Sequence, residues 1–169
     1  AIPGMFSVHN ALGAIAVGLA LGISLADCCS AMTTAKGVKG RVEVVPTDGD
    51  YSIIIDYSHK PGALETVLQT LRPVVKGRLI CLFGCGGDRD KVKRPIMGAI
   101  AADNSDLVVV TSDNPRTEDP DEIIREIVEG MKNKRTPRKV ICDRVKAIHW
   151  AIDNARSGDV ILLAGKGHE

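Results

Sequence analysis

The apolar positions follow two rhythms, and the change from one to the other divides the chain. From Val8 to Leu21, Ala, Leu and Ile recur at helical spacing, and Ser24-x-x-Asp27 then opens a second helix that runs towards Gly37. Ala11 to Leu25 carries no charge, which predicts a buried helix. Gly13, Gly18 and Gly22 interrupt it, and it lacks a basic flank and a cleavage site, so it reads neither as a secretory signal nor as a membrane span. After Lys39-Gly40 the spacing shortens. Arg41 to Val45 alternates as a strand does, Asp48-Gly49 is a hairpin-turn dipeptide, and Tyr51 to Ile55 is a second strand. Further strands are predicted at Leu79–Phe83, Leu107–Thr111, Lys139–Cys142 and Val160–Leu163. Helices at Pro61–Leu71, around Pro95–Ala102, at Asp121–Met131 and at Val145–Ala155 separate them. Short β-branched runs alternating with amphipathic helices predict an α/β fold with a doubly wound, mostly parallel, six-stranded Rossmann-like sheet. Such sheets bind ligands at the carboxyl ends of their strands.

Composition narrows the function. Lys and Arg number 22 against 21 Asp and Glu, a net charge of +1 over 169 residues. Nucleic acid is therefore excluded as a partner on charge, and aromatics at 3% supply no base-stacking platform. Cys28, Cys29, Cys81, Cys85 and Cys142 are odd in number and contain no Cys-x-x-Cys pair, which argues against a disulfide framework or a zinc ribbon and for a reducing, cytoplasmic setting. Cys28 and Cys81 lie in apolar runs and read as small core residues. The absence of an initiator Met at Ala1 and the abrupt stop at Glu169 suggest a piece of a longer polypeptide.

Residues with chemistry gather at the predicted strand ends. After Phe83 comes Gly84-Cys-Gly-Gly-Asp-Arg89-Asp-Lys91-Val-Lys93-Arg94, whose glycines allow close backbone approach and whose four cations suit an anionic ligand. It is no Walker loop, since Gly-Lys-Ser/Thr occurs nowhere in the chain, and Arg89 stands where a dinucleotide fingerprint needs glycine. After the next strand, Asp113, Asn114 and Arg116 combine a carboxylate, an amide and a planar fork around Pro115, the parts that recognise a zwitterionic head group. Asp56 ends an earlier strand as a candidate ribose acceptor or a simple turn cap, and the last strand runs into Gly165-Lys-Gly-His-Glu169. These residues alone describe an α/β domain that binds a charged small molecule or a nucleotide.

Gly84-Cys-Gly-Gly-Asp-Arg-Asp-Lys-x-Lys-Arg-Pro, Asp113-Asn-Pro-Arg116, Gly165-Lys-Gly-His-Glu169, Asp56-Tyr-Ser-His and Gly40-Arg41 together resemble the C-terminal part of the Mur ligases, over essentially the whole chain. Asp-Asn-Pro-Arg resembles the members of that family that add meso-diaminopimelate. The resemblance implies that residues 1–37 are C-terminal helices of a central ATP-binding domain and residues 38–169 the family's C-terminal domain. It implies diaminopimelate contacts from Arg89, Asp113, Asn114, Arg116, Gly165 and Glu169, and ATP contacts from Asn10, Arg41, Asp56 and, weakly, His59. ATP and Mg2+ would be the cofactors, with the magnesium ligands and any catalytic residue outside this stretch. The substrates would be meso-diaminopimelate, ATP and the UDP-N-acetylmuramoyl dipeptide, handled by a cytoplasmic monomer away from any membrane. The chain departs from the commoner pattern at Ser7, His9, Ser58 and Lys60. Two rivals are a folylpolyglutamate or cyanophycin synthetase and a nicotinamide-dinucleotide domain. Without a Gly-Lys-Ser/Thr loop the transferred phosphate has no cradle. The purified chain is thus expected to form no amide from UDP-sugar dipeptide, ATP and diaminopimelate; ATP-dependent product in that assay would refute the expectation.

Overall fold

A computed structural model describes residues 5–35 and 37–167. The chain forms two compact units that divide between Val38 and Lys39. The first is a pair of helices, α1 (Met5–Ala20) and α2 (Leu25–Thr34). Ser24 caps α2 by accepting the Asp27 N–H at 3.1 Å, as its Ser-x-x-Asp start predicts. Gly18 lets the pair close, because a Cβ there would stand 2.7 Å from Cys28 Sγ. The apolar stretch of α1 is not buried as its lack of charge suggested: Leu12 is 57% exposed, and Val8, Val17 and Leu19 are also open. Two short helices offer too little surface to cover a helix that is apolar on every side. Among the described residues no helix is long and apolar enough to cross a membrane.

The second unit is a six-stranded sheet, β1 (Glu43–Val45), β2 (Ser52–Asp56), β3 (Leu79–Phe83), β4 (Leu107–Val110), β5 (Arg138–Val140) and β6 (Val160–Ala164), in the order β1-β2-β6-β3-β4-β5. Among the described residues only β1 pairs antiparallel; every other pairing is parallel. Helices α3 (Pro61–Leu71), α4 (Lys93–Asn104), α5 (Pro120–Glu129) and α6 (Arg144–Asp153) supply the crossovers. Ile53, Ile80, Leu82, Leu107, Val109 and Ile161 pack with Ala147 and Ala151 of α6. Alternation along the strands turns Cys81, Phe83, Val108 and Val110, all fully buried, to the other face, where α4 and α5 lie against β4. Central β3 is buried at every position, so it reads as a continuous apolar run.

Departures from the expected boundaries have local causes. β1 begins at Glu43 rather than Arg41 because Val42 has a φ of 47°, outside the strand region. The Asp56 carboxylate holds it there, accepting the Val42 N–H at 2.9 Å. α4 starts two residues before Pro95, which is tolerated because N–H groups of a first turn have no partner within the helix. β5 stops at Val140, while Cys142 O goes on to accept from the Ser112 N–H and the Thr111 hydroxyl at 3.0 and 3.1 Å.

Helices α4 and α5 meet through glycine. A Cβ on Gly98 would overlap the Ile127 carbonyl, and one on Gly130 would overlap that of Pro95. Gly98→Ala should therefore destabilise the chain by about 1–3 kcal/mol, whereas Gly62→Ala on open α3 surface should be neutral or slightly stabilising. Urea unfolding midpoints of the two variants against wild type test this; equal midpoints would mean that the helix crossing relaxes freely.

Candidate functional site

Four strands end together at one edge: Asp56 closes β2, Ala164 closes β6, Phe83 closes β3 and Val110 closes β4. The loops that follow enclose a cleft of about 600 Å3. Arg89, Asp113, Asn114, Arg116, Gly165 and His59 all line it, together with Tyr57, Lys60 and Lys93. The loop expected to serve the nucleotide thus shares a cleft with the residues expected to serve the amino acid.

The loop after β3 and the loop after β4 are stitched backbone to backbone. The Gly87 N–H donates to Asn114 O at 2.8 Å, and a Cβ on Gly87 would overlap the Pro115 carbonyl. Arg116 adopts a φ of 53°, unusual for a side-chain-bearing residue, and its Nη1 donates to Gly87 O at 2.7 Å. Asp88, at a φ of 52°, accepts the Thr117 hydroxyl at 2.7 Å and the Thr117 N–H at 3.2 Å. Those bonds to Thr117 hold the Asp88 carboxyl below its ordinary range.

Beneath both loops lies Arg94, fully buried. Nη1 reaches Glu118 at 3.0 Å and Glu126 at 2.9 Å, and Nη2 reaches Glu118 at 2.8 Å and Gly86 O at 3.3 Å. Glu118 Oε1 also accepts the Asp88 N–H at 2.6 Å, and Lys91 stands 3.0 Å from Oε2. The hydrogen bonds from Arg94, then those from Asp88 N–H and Lys91, hold the Glu118 carboxyl down at about 2.

Reading the four cations of the β3 loop as a set for an anion therefore needs correcting. Arg94 and Lys91 are paired with glutamate, and Lys93 Nζ donates to His59 O at 2.8 Å. Arg89, exposed at the cleft, has no hydrogen bond or ion pair among the described residues.

On the β4 loop, the Asp113 side chain is 10% exposed, and among the described residues its Oδ1 accepts no hydrogen bond. Lys166 donates to Asn114 Oδ1 at 2.9 Å and stands 3.6 Å from Asp113 Oδ1. Gly165, at a φ of 102°, leaves room beside Asp113: a Cβ there would lie 3.4 Å from Oδ2. On the β2 side, Asp56 accepts from Val42 N–H and Ser58 N–H, both at 2.9 Å, so it holds a turn although α3 itself lacks a side-chain cap. Arg41 lies 4.7 Å above the Tyr57 ring, whose centroid is 4.7 Å from that of His59. Asn10 is exposed on α1 in the first unit, and Glu169 lies outside the described residues. Cys85, 2% exposed beneath the loop, is pushed up to about 11 by burial, which makes it a packing residue and no nucleophile. Among the described residues no group of three His, Cys, Asp or Glu side chains could hold a metal.

Sequence reading missed Arg94 as a structural cation and gave no role to Tyr57 or Lys166, although both stood inside recognised motifs. Arg144, at the start of α6, went unremarked; its only signal was a position just after a strand end.

A family model described as "Mur ligase, glutamate ligase domain" matches residues 40–167. The UDP-N-acetylmuramoyl-L-alanyl-D-glutamate–2,6-diaminopimelate ligase of Syntrophomonas wolfei is 53% identical over 167 residues, 98% of this chain and 34% of that protein. A solved structure bearing the same enzyme name aligns with a TM-score of 0.74 at 39% identity, over 99% of this chain and 34% of that one. A folylpolyglutamate synthase/dihydrofolate synthase from Yersinia pestis aligns with a TM-score of 0.62 at 20% identity, over 78% of this chain and 29% of that one, which is a likeness of fold alone. The chain spans about a third of the length of the curated relatives it matches.

The low Glu118 value links the site to stability. A carboxylate depressed from 4.5 to about 2 stabilises the fold above its unfolded value, and that contribution is lost as pH falls through the folded one. Wild type should exceed Glu118→Gln in urea midpoint by a constant margin above pH 5, and the margin should shrink between pH 4.5 and 2. A margin that stays level across that window would show that Glu118 gains nothing from Arg94.

Proposed function

The chain belongs to the Mur ligase family, and on that premise we propose that it carries the amino-acid-binding part of an ATP-dependent ligase. The ligase would join meso-diaminopimelate to UDP-N-acetylmuramoyl-L-alanyl-D-glutamate in peptidoglycan precursor synthesis. The observation that carries this reading is the convergence of Arg89, Asp113, Asn114, Arg116 and Gly165 on one cleft of about 600 Å3. Diaminopimelate has two ammonium and two carboxylate groups, so its site needs fixed charges of both signs. Arg89 and Arg116 offer cations and Asp113 a shielded carboxylate.

ATP would phosphorylate the D-glutamate side-chain carboxylate, and the amine of diaminopimelate would displace that phosphate to leave an amide. The residues of this chain orient the amine. Arg116 uses Nη1 to hold Gly87 O, with a longer bond from the same nitrogen to Asn114 O, while among the described residues Nη2 and Nε make no hydrogen bond, so they can meet a carboxylate. Asn114 would stand beside it, with Lys166 bound to its side-chain oxygen. Glu169 would complete the pocket. On the nucleotide side, Asp56 has lone pairs beyond the two that accept Val42 and Ser58 N–H groups, and Arg41 lies over Tyr57, whose ring meets that of His59 at a tilt of 57°, a cluster that would border a nucleotide. Asn10 would belong with them, and residues 1–37 with the ATP-binding domain. Magnesium would neutralise charge on the phosphates, with ligands from outside this chain. A cytoplasmic monomer remains the expected form.

Lysine lacks the second carboxylate of diaminopimelate and would leave Arg116 unpaired. In the full-length enzyme that contains this chain, Arg116→Ala should cost roughly 30-fold or more in kcat/KM for diaminopimelate and far less for lysine. Arg116→Lys should restore only part, because a point charge cannot copy the fork. An equal loss for both amino acids would mean that Arg116 merely shapes the loop through Gly87.

A further inference from the structure

The loops after β3 and β4 exchange hydrogen bonds at a second place, one residue beyond the Gly87–Asn114 stitch. The Asp88 carboxylate accepts the Thr117 hydroxyl at 2.7 Å through Oδ1 and the Thr117 N–H at 3.2 Å through Oδ2. In return, the Asp88 N–H donates to Glu118 Oε1 at 2.6 Å. Each loop thus lends a carboxylate to the backbone of the other, and the exchange closes a ring. Asp88 and Thr117 are exposed, where a lone hydrogen bond contributes little because water competes for both partners. This ring is anchored, since the fully buried Arg94 holds Glu118 from below with both terminal nitrogens.

What the ring holds follows from its place in the chain. Arg89 comes directly after Asp88 and Arg116 directly before Thr117, so each of these cleft-lining cations stands one peptide away from it. Asp88 and Arg116 adopt φ of 52° and 53°, a region that residues with side chains leave unless bonds keep them there. The Arg116 guanidinium also rests against Gly86, where a Cβ would stand 2.9 Å from Nη1. Arg89 has no hydrogen bond or ion pair of its own among the described residues, so only the backbone it springs from is fixed. Neither Asp88 nor Thr117 is among the described residues that line the cleft.

We propose that Asp88 and Thr117 form a positioning clamp for amino-acid binding, holding the backbone origins of Arg89 and Arg116 at one separation so that both cations meet the carboxylates of diaminopimelate together. Neither clamp residue touches the ligand. They act by setting the register between two loops whose arginines would otherwise have to be brought into line as the amino acid binds. The proposal rests on the reading of Arg89 and Arg116 as diaminopimelate contacts.

A double-mutant cycle in the full-length enzyme that contains this chain tests it. Asp88→Asn and Thr117→Val should each raise the KM for diaminopimelate about fivefold or more, and the double variant should exceed the worse single by less than about twofold, since both cut the same clamp. The KM for ATP should move less than about twofold in all three. Thr117→Ser, which keeps the hydroxyl and the N–H, should stay within about twofold of wild type. Asparagine suits position 88 because it tolerates positive φ; should Asp88→Asn fail to fold, Thr117→Val against Thr117→Ser carries the test. Losses that multiply in the double variant, a matching rise in the KM for ATP, or a Thr117→Ser as impaired as Thr117→Val would overturn the proposal. So would clamp variants with an unchanged diaminopimelate KM beside an Arg89→Ala or Arg116→Ala that raises it. An unchanged diaminopimelate KM in Arg89→Ala and Arg116→Ala would instead overturn the reading of the two arginines, and the proposal with it.

Discussion

The cleft depends on one buried cation. Arg94 is fully enclosed, so its guanidinium has surrendered its hydration, and that loss is offset only by its bonds to Glu118, Glu126 and Gly86 O. Those partners belong to different pieces of chain: Gly86 to the loop after β3, Glu118 to the loop after β4, and Glu126 to α5. Arg94 therefore fixes the two loops against each other from below, and the Gly87–Asn114 and Arg116–Gly87 bonds fasten them above. Removing Glu118, which binds both terminal nitrogens, would strand that charge far more than removing Glu126, which is 40% exposed. Lysine could not replace the arginine, since one ammonium cannot reach two carboxylates and a carbonyl in a planar fan.

Rigidity of this kind lets the loops hold backbone that would otherwise relax. Arg116, Asp88 and Val42 all sit at positive φ, each a conformation that costs roughly 1–3 kcal/mol for a residue with a side chain. Each is held by a bond from another segment: Arg116 through Gly87 O, Asp88 through Thr117 and Glu118, Val42 through Asp56. Pro115 removes further freedom between Asn114 and Arg116. The backbone of these loops is thus set in advance, so less ordering entropy would oppose binding of a ligand in the cleft.

The sheet was legible because its signals are local. Runs such as Leu79–Phe83 and Leu107–Val110 are apolar at every position, and only a strand covered on both faces asks for that. The C-terminal strand edge then gathers the loops by topology alone, which is why five of the six residues expected at the amino-acid site line one cleft, the sixth, Glu169, lying outside the described residues. What escaped the sequence was pairing at a distance. Nothing near Arg94 announces that Glu118 and Glu126 will fold beneath it, so it looked like one more exposed cation. Asp56 looked like a ribose acceptor or a cap for α3, and its hold on Val42, fourteen positions earlier, appears only once β1 and β2 pair. The exposed face of α1 failed for the opposite reason: apolar spacing reports that a helix wants covering, never which segment covers it.

The glycines of the β3 loop show why a motif has to be read through its bonds. A Gly-rich turn between a strand and a helix suggests a phosphate cradle, in which free backbone N–H groups point at the ligand. Here part of that capacity is spent inside the protein. The Gly87 N–H donates to Asn114 O, Gly87 O accepts from Arg116, and Gly86 O accepts from Arg94. The glycines are needed because backbone passes over backbone, with the Thr111 carbonyl against Gly84 and the Pro115 carbonyl against Gly87. With Lys91, Lys93 and Arg94 bonded to protein oxygens, Arg89 is the cation of this loop that has no protein partner among the described residues. On the reading proposed above, Arg89 and Arg116 together with the Asp113 carboxylate would suit an amino acid of mixed charge, whereas a pyrophosphate would meet Asp113 as a repelling neighbour.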